Sequence, residues 1–375
     1  MKTRYTTNFN YLFNSLFKCK IAMKNGIYPF LSKAYFKGYF FLLLFLLPML
    51  CAAQFAKSYS AATDNYFSKV IQDGTNYYVL GQVQSPTTNA IWFATVSRVD
   101  ATGTLIWTLS LDIGSVWNDA VLTPTGDLLV VGATVGTRSD SRSLFARVSS
   151  TGSFVWTKIF DYPNEETVNK IVKNPVPTNA TYPYYAVGKH AVVTGNSNDV
   201  VLFNLNDLGV FNFKKVYATV DDDNYANDLE VIPNGTGEML ISGKKGTLGA
   251  IYRINNAGTQ LNSLLNGTSN NLNMAPISTG GLYSVSVNAS GVVYLSKFSG
   301  TLFSPIWERI LTGLTYVSQV AIDPTNTNHI LVTGTMTIGS ILRTVVCRFS
   351  DISNVVTLLS VKYLPGVLFA FPSRY

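Results

Sequence analysis

The stretch Arg98-Val99-Asp100-Ala101-Thr102-Gly103-Thr104-Leu105-Ile106-Trp107 returns 49 residues later as Arg147-Val148-Ser149-Ser150-Thr151-Gly152-Ser153-Phe154-Val155-Trp156. Each copy reads as the end of an apolar strand, a tight turn and the start of a second strand. The residue opening the turn, Asp100 or Ser149, can hydrogen-bond the backbone two residues on, and the closing glycine tolerates positive φ. Asn206-Asp207-Leu208-Gly209 and Asn255-Asn256-Ala257-Gly258 are further copies of the turn. Four residues past the glycine stand Trp107, Trp156 and Phe213, with Trp307 in the same part after a longer loop. These rings read as plugs between neighbouring units.

The pattern extends outward on both sides. The strand before the turn recurs as Thr95-Val96-Ser97-Arg98-Val99, Leu144-Phe145-Ala146-Arg147-Val148, Val201-Leu202-Phe203-Asn204-Leu205, Ala250-Ile251-Tyr252-Arg253-Ile254, Tyr294-Leu295-Ser296-Lys297-Phe298 and Val345-Val346-Cys347-Arg348-Phe349. Upstream of each lies an apolar strand that ends on Gly81, Gly132, Gly188, Gly243 or Gly334, with Asn288 taking the glycine position in the fifth copy. These anchors are 51, 56, 55, 45 and 46 residues apart. Such a period is too long for leucine-rich or ankyrin repeats, and the strand pattern excludes the helical families. Another apolar segment precedes each glycine strand, as at residues 119–122, 228–232 and 319–322, so every unit holds about four strands.

Four antiparallel strands per unit at this period imply an all-β fold, a β-propeller of about six four-stranded blades, whose radial packing limits exposed edges. An array of β-sandwiches is the competing architecture, and it would not require the same glycine and tryptophan register in every unit. Closure can be reached in two ways. Phe55-Ala56-Lys57-Ser58-Tyr59-Ser60 is similar to the fourth strand Phe213-Lys214-Lys215-Val216-Tyr217-Ala218, and would clasp the last blade. Yet residues 355–363 give the sixth unit its own fourth strand, and residues 367–371 could begin another. Six blades with a spare terminal strand is preferred over seven with an early stop.

Two segments divide the chain: 1–53 as a targeting segment and 54–375 as the propeller domain. Residues 1–53 hold Lys2, Arg4, Lys18, Lys20, Lys24, Lys33 and Lys37 and no acidic residue, which leaves 21 basic against 21 acidic residues in the remainder. A neutral body removes the electrostatic case for nucleic acid. The basic stretch, the apolar run 39–50 and the small residues Cys51, Ala52 and Ala53 match a secretory signal peptide, with Met23 as an alternative start. The run is shorter than the roughly 20 residues of a spanning helix. A membrane is therefore expected as a partner only if this segment is retained or Cys51 is lipidated, and Pro48-Met49-Leu50 lacks the small residue such lipidation sites carry before the cysteine. The expected location is exported: secreted, periplasmic or cell surface. Cleavage after Ala53 leaves Cys347 alone, so no internal disulfide is available to the mature chain.

The two ten-residue segments quoted first are similar to blades of secreted bacterial propeller proteins, especially those common in Bacteroidota, and the resemblance covers most of residues 60–360. It implies architecture and export and leaves activity open, since such blades serve adhesion, carbohydrate binding, scaffolding and catalysis. Two departures matter. The stretch after Tyr363 is shorter than the C-terminal sorting domain that type IX export in that group implies. The turn-plus-Trp element also resembles the docking motif of quinoprotein dehydrogenases, but has one residue fewer between Asp and Gly. The cofactor residues of those enzymes have no matching motif here.

Chemical motifs are sparse. His190 and His329 stand apart, without the spacing of a zinc site. In Asp221-Asp222-Asp223-Asn224 the oxygens of Asp221 and Asp223 are the candidate calcium ligands, but Tyr225 interrupts the EF-hand pattern, which favours a solvated loop. Otherwise no cofactor is expected. Arg98, Arg147, Arg253, Lys297 and Arg348 could form an anion-binding ring, although repetition in register points first to structural ties. Trp92 and Trp117 lie off the repeat register and are the candidates for stacking on a ligand, against a packing role. Neither a Gly-x-Ser-x-Gly elbow nor a phosphate loop occurs, and Gly243-Lys244-Lys245-Gly246-Thr247 resembles the latter only superficially.

The leading expectation is an exported, non-enzymatic propeller that binds a protein or a glycan through loops on one face. The alternative is a carbohydrate-active enzyme, which requires carboxylates converging at the central channel. A third reading is a truncated part of a larger surface protein, which an open last blade would support.

Overall fold

The computed structural model describes residues 65–85, 91–135, 141–160, 165–177, 179–191, 198–217, 223–266, 269–278, 281–300, 304–339 and 341–363. The chain divides into two units at Lys57 and Ser58, and these residues all belong to the second; the targeting segment expected at residues 1–53 lies outside them.

Sequential antiparallel pairing builds six four-stranded blades. The first comprises β1 (Asn65–Asp73), β2 (Asn76–Gln84), β3 (Trp92–Val99) and the first half of β4 (Leu105–Leu122). The second half of β4 crosses without a loop to become the first strand of blade two, where it pairs with β5 (Leu128–Thr134), followed by β6 (Ser143–Val148) and β7 (Phe154–Ile159). Blade three is β8 (Glu166–Lys173), β9 (Tyr184–Ala191), β10 (Asn198–Leu205) and β11 (Phe211–Tyr217). Blade four is β12 (Asn224–Val231), β13 (Met239–Lys245), β14 (Leu248–Ile254) and β15 (Gln260–Asn266). Blade five is β16 (Ser269–Pro276), β17 (Leu282–Asn288), β18 (Val293–Phe298) and β19 (Pro305–Ile310). Blade six is β20 (Leu314–Ile322), β21 (His329–Ile338), β22 (Ile341–Ile352) and β23 (Val355–Tyr363).

Each middle blade is covered on both faces, which is why its second strand reads as an unbroken apolar run: residues 128–133 of β5 are all buried. Among the described residues the apolar core falls into five clusters, one per junction between consecutive blades. Each large side chain fully buried there contributes about 1.5–3 kcal/mol. The first strands of consecutive blades also lie against one another from β1 round to β20, while no packing of that extent joins β20 to β1.

The repeated glycine is a close-approach site. Every first strand carries a β-bulge opposite it, and a Cβ on Gly132 or Gly188 would sit 1.9 Å from Val116 O or 1.8 Å from Thr167 O. In blade five the pairing gives this place to Ser286, opposite Asn271, two residues before the Asn288 expected from the sequence.

At the end where the first-to-second and third-to-fourth strand connections lie, the blades interlock. Arg98 donates to Asp73 (2.8 Å) and to Ser150 O of the next blade (2.7 Å). Arg147 does the same with Asp127 (2.9 Å) and Asp207 O (3.3 Å), and Arg253 with Glu238 and Gly300 O (2.7 Å). Lys297 reaches Asp351 at 2.7 Å and Asn354 at 3.0 Å. The indoles of Trp107 and Trp156 donate to the same turn carbonyls, Ser150 O and Asp207 O, and lie under Gly152 and Gly209. At Arg98, Arg147, Arg253 and Lys297 the basic register is therefore a set of blade-to-blade ties, and the expected plugs are in place at Trp107 and Trp156.

Candidate functional site

The first strands line the channel, and their bulges aim polar side chains at the next blade. Asn118 Nδ2 donates to Val168 O (2.7 Å) and Asn169 Nδ2 to Ala226 O (2.7 Å), with Ser68 Oγ on Trp117 O (2.8 Å). The next residue in each strand forms a second tier of ties. Lys69 pairs with Asp119 at 3.0 Å, Asp119 accepts from Ile171 N at 3.1 Å, and Lys170 pairs with Asp228 at 2.7 Å. Asp228 also accepts from Asn273 Nδ2 (2.7 Å) and Met274 N (2.9 Å), and Asn273 Oδ1 accepts from Val320 N (2.8 Å).

A cavity of about 350 Å³ opens beside this belt, bordered by Lys69, Asp119, Lys170, Lys173 and Glu230. Lys170 Nζ holds Glu230 at 3.1 Å as well as Asp228, so two carboxylates converge on one ammonium. Burial pushes Glu230 up to about 7; the Lys170 charge opposes this and the Asp228 charge adds to it. Burial works against the charge on Lys170, but Asp228, Glu230 and Asp119 together hold its pKa well above the usual lysine range. A carboxyl that gains a proton near neutrality beside an ionised partner is equipped for proton transfer, yet here both carboxylates are tied to the lysine.

The opposite end carries the second-to-third strand connections and the crossings between blades. There Glu166, fully buried at the start of β8, lies in hydrogen-bond contact with His190 Nδ1 at 2.9 Å and forms an ion pair with Lys214. Its Oε1 has no hydrogen-bond partner. Around blades one and two the described residues of this rim include exposed apolar side chains. Val135 N donates to Gly114 O (2.8 Å), and a Cβ on Gly114 would lie 3.7 Å from Ile91 Cγ2. Ile91, Ile113 and Val135 are 40%, 38% and 42% exposed. Next to Ile91 in the chain, Trp92 packs on Tyr66 with ring centroids 5.0 Å apart and the planes tilted by 46°.

The residues singled out from the sequence separate accordingly. Trp92 stands at the rim, half-buried, whereas Trp117 is 2% exposed inside the junction of blades one and two. Asp223 accepts from Asn198 Nδ2 (2.7 Å) and faces Lys244 at 3.6 Å; Asp221 lies outside the described residues. Among the described residues no three His, Cys, Asp or Glu side chains are grouped for a metal ion. His329 begins β21 at the interlocked end, its Nε2 3.3 Å from Asn326 Nδ2. Lys244 and Lys245 belong to the short β13–β14 hairpin, where Lys244 lies over the Tyr225 ring. Sequence reasoning missed the channel belt, although polar pairs inside apolar strands (Asn118-Asp119, Asn169-Lys170, Asn227-Asp228) were its signal.

No protein-family model and no curated protein matches the chain. Among solved structures, the periplasmic gluconolactonase PpgL of Pseudomonas aeruginosa superposes with a TM-score of 0.52 at 13% identity, over 78% of this chain and 83% of that one. A chain of a mitotic checkpoint complex gives 0.52 at 9% identity, over 82% and 88%. The GH74 enzyme of Niastella koreensis gives 0.49 at 11% identity, over 74% and 45%. At these identities the likeness is one of fold, and the chain is an all-β propeller. In the first two of these neighbours the same fold serves an enzyme and a member of a protein complex.

Proposed function

We propose that the chain is an exported, non-enzymatic binding protein of the secreted bacterial propeller type, which takes a protein or glycan partner on the rim formed by blades one and two. The observation that carries this reading is the contact of the Trp92 and Tyr66 rings at this rim, next in the chain to the exposed Ile91. An aromatic face suits a sugar ring or a partner's apolar anchor. The opposite end is occupied by blade-to-blade ties, and the channel carboxylates by lysines. Binding of the purified chain to glycan and protein arrays tests the reading: a ligand held by the wild type and lost by at least tenfold in Trp92→Ser and Ile91→Asp, with unchanged circular dichroism, is expected. Binding indifferent to both substitutions overturns it.

The convergence of Asp228 and Glu230 favours a second reading, a hydrolase acting in the channel. It requires turnover of a sugar or lactone substrate that falls at least a hundredfold in Glu230→Gln. No turnover across such a panel removes it.

A further inference from the structure

The β21–β22 hairpin of blade six stands out past the strands that flank it. In blades one to five the first strand pairs with the second to within one residue of its end, as Asn65 does with Val83, Ser115 with Thr134, Glu166 with His190, Asn224 with Lys245 and Ser269 with Asn288. In blade six β20 begins at Leu314 opposite Met336, two residues short of the end of β21. On the other flank β23 reaches Tyr363, opposite Val345. The pairs Thr337 with Leu342 and Ile338 with Ile341 therefore have no strand beside them among the described residues. At the rise of an antiparallel strand these two pairs carry the tip roughly 7 Å beyond the start of β20. Gly339, in the turn, has φ of 62°, and a Cβ on it would meet nothing within 4 Å.

The tip is apolar on both faces. Ile338 and Ile341 are 41% and 50% exposed and lie directly opposite each other, so they share one face of the ribbon. Leu342, 37% exposed, follows Ile341 in the strand and faces the other way. A sugar ring or the flat side of a folded partner covers one face of a ribbon. A layer of acyl chains receives a tip from all sides, and exposed apolar side chains of this kind mark either sort of contact. The charge around the tip decides the headgroup. The second-to-third strand connections of blades four, five and six, residues 244–248, 288–292 and 337–343, carry Lys244, Lys245 and Arg343 and no acidic residue. Lys244 faces Asp223 at 3.6 Å, while Arg343 is exposed at the base of the tip. Cations held at a membrane surface favour anionic lipid.

We propose that this end of the molecule meets an anionic phospholipid bilayer and that the tip of blade six enters it, with Ile338, Ile341 and Leu342 among the acyl chains and Arg343 at the headgroups. The height of the tip falls within the depth of about 5–10 Å at which the apolar faces of interfacial elements lie. The contact uses neither residues 1–53 nor the Trp92 and Tyr66 rings, and it stands apart from the glycan or protein reading of that rim.

Fluorescence of the full chain on lipid vesicles tests this. In a Cys19→Ser, Cys51→Ser background, an environment-sensitive thiol label is placed at Ile341→Cys, or as a control at Leu208→Cys, 64% exposed at the interlocked end. With vesicles of phosphatidylglycerol and phosphatidylethanolamine in equal parts, the label at Ile341→Cys is expected to gain at least threefold in emission and to be quenched by nitroxide-bearing acyl chains, while that at Leu208→Cys stays aqueous. Arg343→Glu, or vesicles of phosphatidylcholine alone, should cut the gain at least threefold. No gain at Ile341→Cys overturns the proposal, as does an equal gain at Leu208→Cys, the result if residues 1–53 alone held the chain on the vesicle. A gain indifferent to Arg343→Glu and to the headgroup overturns the anionic surface. A label shielded before vesicles are added overturns the proposal too, in favour of a second copy where the shielding rises with protein concentration and of the chain's own cover where it does not. Cys347, 3% exposed, reacts only if blade six has opened; should Ile341→Cys open it, Ile338→Cys takes its place with the same expectation.

Discussion

Lys170 shows how single residues hold this channel together. Its ammonium is shared by Asp228, which is almost completely buried, and by Glu230. Removing one member of a buried ion pair leaves the other charge uncompensated, at about 3–5 kcal/mol. Lys170→Met should therefore lower stability by about that amount in urea unfolding, and Lys170→Met with Asp228→Asn should recover at least half of it. Glu230 behaves differently, because its folded pKa of about 7 stands above its ordinary value of 4.5. A carboxyl whose pKa is raised on folding costs stability as pH rises through the interval between the two values, here from 4.5 to 7. Glu230→Gln should accordingly match the wild type at pH 4 and gain in melting temperature relative to it at pH 8. A variant that loses ground at pH 8 would show the Lys170 attraction to outweigh burial.

At the scale of the element, the turn and the third strand form a unit that is useful only beside its neighbour. Arg147 ties its own Asp127 to a carbonyl of the following blade, whereas among the described residues Arg348 pairs only with Asp323. Arg147→Ala should cost about 2–3 kcal/mol, the value of charged hydrogen bonds lost from a part-buried site, while Arg348→Ala should leave the unfolding midpoint unchanged. Much of this unit was legible in the sequence, because its signals are local: a side-chain acceptor, a glycine and a ring within ten residues. Where the signal was replaced, reading slipped, and Ser286 in blade five was passed over for Asn288 because no glycine marks the bulge. The crossing inside β4 was likewise invisible, since residues 111–116 contain no break in extended character and the chain changes blade without a loop. Gly188→Ala tests the close approach directly: a methyl 1.8 Å from Thr167 O must displace β8, and a loss of about 3 kcal/mol or more is expected by calorimetry.

For the whole molecule, what decides behaviour is that the repeats pack only on their neighbours. The number and order of blades could be read from the period, but the sites could not, because their parts come from distant strands. Ile91 and Val135 come beside Gly114 only after the strands pair, and the belt joins residues about fifty positions apart, such as Asp119 and Ile171. Trp117, off the repeat register, turned inward because the first strand of blade two faces blade one at that point. A linear stack has stability set by each unit and its two interfaces, so the blades with a neighbour on both sides should open last. Native-state hydrogen exchange should show the amides of β9 and β13, in blades three and four, exchanging at the global unfolding free energy. Those of β2 and β21, in blades one and six, should exchange through smaller openings at least tenfold more often. Uniform protection across all four strands would instead mean that the sixth blade and the first are coupled as tightly as any other pair, and that the stack behaves as a closed ring.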